Sequence, residues 1–203
     1  MRPKKWKYTI AAASLTGYAS NATGVTWPLT ATTAGDGLAH PVTVKNDSVT
    51  DHSAKTMILA GTDAEDRPQT ETMNLPGTSA TVTSVKYYKT LESVTPSATI
   101  GADTMDIGWT AVGYTPIYPL SHPMVGQATL QCDVNGSTIN YTPQQTVMPV
   151  FTVNGAAPSW IAAVAAGAAS TITTLAQAAT GFRILVNSHT SGVLYVGISQ
   201  ARV

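Results

Sequence analysis

TMILAGTDAEDRPQTETMNLPGTSATVTSVKYYKTLESVT, residues 56 to 95, decides the fold class. Thr, Val and aromatic residues alternate with polar ones, and the runs break at Gly-Thr-Asp, Asp-Arg-Pro and Pro-Gly-Thr. Alternation puts every second side chain on one face, so each run reads as a half-buried strand and each break as a turn. The same texture continues on both sides. LAHPVTVK lies between Asp36-Gly37 and Asn46-Asp47-Ser48, and TMDIGWT follows the turn Gly101-Ala102-Asp103. These strands predict a compact antiparallel β-sandwich.

Residues 114 to 125 then bring three prolines, Pro116, Pro119 and Pro123, which suit an extended connector because proline cannot serve a central ladder. The expected organisation is two all-β, sandwich or jelly-roll-like domains with little helix. The first covers 1–113, including an N-terminal arm from Met1 to about Ser20; the second covers 114–203. In the second, GQATLQCDVNGSTINYTPQQTV reads as a hairpin through Asn135-Gly136. FRILVNSHTSGVLYVGISQ supplies two more strands around 187–192. Between them, the Ala-rich stretch 155–180 predicts an excursion carrying a short helical piece after a Ser159 cap, although Gly167 and Thr171-Ile172-Thr173-Thr174 oppose helix.

Charge narrows the functions. Only 11% of the 203 residues are charged against roughly 25% in an average domain, and the formal net charge is zero. A surface with so little charge lacks what keeps proteins apart, so contact with other subunits is expected. Nucleic acid is not an expected partner, because the only basic cluster is Arg2, Lys4, Lys5 and Lys7. That cluster precedes YTIAAASLTGYAS, which is too polar and too interrupted for a secretory signal. No run of about 18 apolar residues offers a membrane span.

Catalytic constellations are missing. His40, His52, His122 and His189 each sit beside a turn or a proline without ligand spacing, which predicts surface or turn histidines and no metal. Asp63, Glu65 and Asp66 superficially suggest a Ca²⁺ loop, but Arg67-Pro68 breaks the pattern and leaves a solvated turn. No nucleophile elbow, phosphate loop or outstanding carboxylate pair is present, so neither enzyme activity nor a cofactor is expected. Cys132, the sole cysteine, is expected to be buried and inert.

Two segments carry apolar and aromatic residues suited to a subunit contact: the arm with Trp6, Tyr8 and Tyr18, and the Ala-rich stretch with Trp160, Ile161, Val164 and Leu175. The half of the chain running from GDGLAHPVTVKN through residues 51–95 to GADTMDIGW resembles a module of tailed-bacteriophage virion structural proteins. GQATLQCDVNGSTINYTPQQTV with FRILVNSHTSGVLYVGISQ is similar to a second module of that class. Glu65-Asp66-Arg67, where a glycine turn would be usual, and the Ala-rich insert depart from the pattern. The resemblance implies a capsid decoration or cement protein located on the virion and assembled in the host cytoplasm. Its implied partners are the major capsid protein or other virion subunits, and copies of itself as a homo-oligomer such as a trimer. The alternatives are a tail or head-to-tail component, or a carbohydrate-binding module for host adsorption.

Overall fold

The computed structural model describes residues 4–120, 128–136, 138–148, 159–176 and 178–200, with Gln200 by its backbone alone. Every regular element in it is a strand. The first, β1 (Lys4–Thr9), corrects the expected arm: it pairs with the last strand over Lys4↔Ile198 to Thr9↔Val193. The chain forms two compact units. Ala11–Gly113 makes a contiguous unit, while Met1–Ile10 joins Tyr114–Val203 in a split unit.

The contiguous unit comprises β2 (Ser14–Ala22), β3 (His40–Asn46), β4 (Thr56–Thr62), β5 (Pro68–Asn74), β6 (Thr81–Tyr88), β7 (Thr90–Pro96) and β8 (Met105–Trp109). Two antiparallel sheets result, ordered β2-β8-β3-β6 and β5-β4-β7. Alternation explains the core: Met57 and Leu59 are fully buried while Ile58 between them is 48% exposed. Tyr18, Val42, Val44, Tyr88, Leu91, Met105 and Ile107 complete the apolar interior. The β4–β5 turn manages without glycine because Asp66 takes a positive φ of 60°. Asp63 accepts the Glu65 and Arg67 amides at 2.9 and 3.0 Å and the Arg67 Nε–H at 2.8 Å.

The split unit adds β9 (Gly113–Tyr114), β10 (Tyr118–Pro119), β11 (Ala128–Asn135), β12 (Ile139–Thr146), β13 (Ile161–Ala162), β14 (Thr171–Thr174), β15 (Gly181–His189) and β16 (Val193–Gln200). Its sheets run β1-β16-β11-β14 and β10-β15-β12-β13, with β9 also on β15. Residues 114–120 are therefore no free connector, and Pro119 occupies an edge strand, which spares a central ladder.

The Asn135-Gly136 hairpin is also corrected, since β11 and β12 lie in different sheets; the same holds for β15 and β16. Both bends are corners that cross. A Cβ added to Gly136 (φ 119°) would stand 2.7 Å from the Cα of Gly192 (φ 124°). Ser191 N–H donates to Thr138 Oγ1 at 3.0 Å across the crossing. The helical piece is absent from the described part of 155–180. Its β-branched run pairs with β11 as β14, from Thr171↔Cys132 to Thr174↔Thr129, a geometry that suits Thr and Ile better than a helix does.

Candidate interaction surfaces

Four of the seven expected contact residues are spent inside their own units. Tyr18 is fully buried in the contiguous core, because β2 turns it inward. Trp6 and Tyr8 share the inward face of β1. The Trp6 ring centroid lies 4.2 Å from that of Tyr118, which stacks on Phe182 at 4.8 Å. The Tyr8 and Tyr118 hydroxyls are hydrogen-bonded, and burial pushes the Tyr8 phenol up to about 12. Leu175 is 1% exposed, beyond the end of β14.

The Ala-rich stretch is tied along its own unit. Arg183 places its guanidinium 4.5 Å from the ring centroids of both Tyr114 and Trp160, and its Nε–H donates to Gln144 Oε1 at 2.8 Å. Tyr141 exchanges two backbone hydrogen bonds with Gly167 and donates its hydroxyl to the Ala169 carbonyl at 2.8 Å. Val164 is half-buried at a hollow of about 200 Å³ beside Tyr141. Ile161, at 58%, and Ile172, at 68%, remain exposed.

A further surface emerges only from strand register. The outer face of β5-β4-β7 carries the rows Thr70–Ala60–Ser93 and Thr72–Ile58–Thr95. None of these six side chains is charged. Glu92, the extra residue of a β-bulge opposite Ala60 and Gly61, stands at the margin. Alternation in QTETMN signalled the half-exposed strand, but only its pairing collects the rows into one flat face.

The polar residues make latches. His40 and His52 are buried, correcting the expectation of surface histidines, and so is His189; His122 lies outside the described residues. His40 Nε2 bonds Asp36 Oδ2 at 2.9 Å, with both side chains at 1% exposure or less. On the other ring nitrogen, Nδ1–H is shared between the Val112 and Thr110 carbonyls at 2.8 and 3.1 Å. Asp36 also accepts the Ala11 and Leu38 amides. Burial alone would push its carboxyl up, but the bond and charge of His40 and those two amides prevail and hold it below the usual range. This buried dyad joins the beginning of the contiguous unit to its end.

His52 likewise bonds Asp103 at 2.8 Å, and that bond is the main reason the Asp103 carboxyl is lowered. Cys132 is fully buried on the inward face of β11, which pushes its thiol up to about 12. Among the described residues, no three His, Cys, Asp or Glu side chains gather as metal ligands.

Charge divides sharply between the units. Ten of the eleven acidic residues fall within Ala11–Gly113 with five of the basic ones, giving −5. The split unit has the other six basic residues and Asp133 alone, giving +5. Comparison of the chain with protein-family models, curated proteins and solved structures finds no match.

Proposed function

We propose that the chain is a structural protein of a tailed-phage virion, a capsid decoration or cement protein that assembles as a homo-oligomer on the major capsid lattice. The outer face of β5-β4-β7 carries the proposal. Its rows of Thr, Ser and Ala around a 48% exposed Ile58 offer hydroxyls and apolar area with no charge to desolvate. Such a face suits broad subunit contact, where a cost of burying unpaired charge would otherwise oppose association. A partner that binds only the assembled shell stabilises it by mass action, and repetition over the lattice multiplies the effect.

The test is to locate the protein with labelled antibody on particles produced from the genome that encodes it, alongside an Ile58→Lys, Thr72→Lys variant. Decoration of heads by the parent chain and its loss in the folded variant are expected. Label on tails would replace decoration with a tail role, and unlabelled particles would end the virion reading.

A further inference from the structure

The sheet β1-β16-β11-β14 turns Trp6, Tyr8, Leu194, Val196, Leu130 and Cys132 inward, so the alternate positions face outward. Register gives the outward rows. Lys7, Tyr195 and Asp133 form one, Lys5, Gly197 and Gln131 the next, and Ser199 with Thr129 a third. In the middle of that face, Gly197 has no side chain. A Cβ built there would meet nothing nearer than 3.9 Å, so the neighbours have not collapsed over the gap. What remains is a groove of about 330 Å³.

We infer that this groove binds an acidic saccharide, a pyranose chain bearing carboxylate groups. The inference is independent of lattice attachment. Tyr195 provides an apolar wall, and the Lys5 ammonium rests 4.4 Å from its ring centroid, which holds an exposed cation at the groove. Lys4 borders the groove through its backbone carbonyl. Opposite them, the Gln131 side-chain amide donates to both Asp133 oxygens at 3.0 and 2.9 Å. That bond fixes two groups whose remaining acceptor positions suit sugar hydroxyls. A ligand meeting all three parts combines C–H faces, hydroxyl donors and an anionic substituent.

The groove's size, at the lower end of the roughly 300–1,000 Å³ of small-ligand clefts, accommodates a short piece of such a chain. The +5 charge of the split unit attracts anions at longer range. Nucleic acid fits less well, because Asp133 adds an anion to the lining and Tyr195 is its single aromatic ring.

The test uses the full chain labelled with ¹⁵N and titrated at constant ionic strength with tri-galacturonic acid, maltotriose or inorganic phosphate. Saturable amide shifts at Tyr195, Gly197 and Gln131 are expected with the galacturonate, and binding at least about tenfold weaker with the other two. Gly197→Leu, which fills the gap, abolishes these shifts, and Lys5→Glu, an exposed substitution, weakens them at least about tenfold. No saturable shift with galacturonate overturns the inference. So does equal binding of phosphate alone, which would mark a plain anion patch, or equal binding of maltotriose. Undiminished binding by folded Gly197→Leu is equally fatal, and should that variant fail to fold, undiminished binding by Lys5→Glu is decisive in its place.

Discussion

The contiguous unit and the split unit close two sheets by opposite means. Across β5 and β6 of the contiguous unit, Glu71 accepts the Val85 and Lys86 amides at 2.8 and 2.9 Å. Lys86 Nζ donates to the Thr70 carbonyl and Gln69 Nε2 to that of Tyr87, at 2.7 and 2.6 Å. The buried Asp36–His40 pair fastens its ends. In the split unit the corresponding closure is aromatic, with Trp6, Tyr118 and Phe182 in contact. Both units have apolar cores, but the seam of one is made by ionised and hydrogen-bonded groups and that of the other by aromatic packing.

The comparison breaks most visibly at Phe182, which is fully buried. Phe182→Ala should cost the split unit about 4 kcal/mol through lost burial and a cavity. Resonances of Ala11–Gly113 should persist where those of the split unit melt, and loss of both together would refute separate closure.

Asp36→Asn comes next, at about 3 kcal/mol, because it removes the buried carboxylate that His40 Nε2 and the Ala11 and Leu38 amides bond. It should act on the contiguous unit alone. The carboxyl is held below its ordinary value, so its contribution is fully present above the unfolded-state pKa of about 3.9 and is lost as pH falls through the lower folded value. Acid titration by circular dichroism should therefore show that component missing in Asp36→Asn, and an unchanged acid limb would contradict the latch.

Glu71→Ala should cost about 1 kcal/mol, since it removes one acceptor group from a partly exposed seam. Faster hydrogen exchange at the Val85 and Lys86 amides measures it directly. Cys132 finally serves as a silent reporter: native protein should resist thiol reagents over hours, while Phe182→Ala should label at the rate of split-unit opening. Rapid labelling of the parent chain would show that its thiol is accessible.

Strands were legible in the sequence because alternation is local: β3, β4, β5 and β8 coincide closely with LAHPVTVK, TMILAG, QTETMNL and TMDIGWT. Their partners were not. Asn135-Gly136 carries a strong hairpin signal, yet whether a tight turn reverses within one sheet or crosses to another depends on the distant Gly192 against which it packs. The histidines look exposed because their neighbours are turn residues, whereas the Asp36 and Asp103 carboxylates that justify burial stand in loops. Counting on either side of residue 113 gives only −1 and +1; the ±5 charge division appears once β1 assigns the first basic cluster to the second unit. Of the candidate surfaces, Ile161 was legible as an apolar side chain in small-residue surroundings. The groove at Gly197 was not, since a glycine in LYVGISQ reads only as a weak strand position until its neighbours across the ladder are known.

The pairing of β1 with β16 also orders events during synthesis on the ribosome. Lys4–Thr9 is made before Ala11–Gly113 and the strand it needs after it, so its Trp6 and Tyr8 lack their native partners while everything between is translated. Ala11–Gly113, whose ladders close within itself, can fold meanwhile as a complete domain. Until Val193–Gln200 arrives, the nascent chain therefore carries a finished acidic domain tethered to an unpaired basic strand with exposed aromatic rings, a segment with every reason to recruit a chaperone.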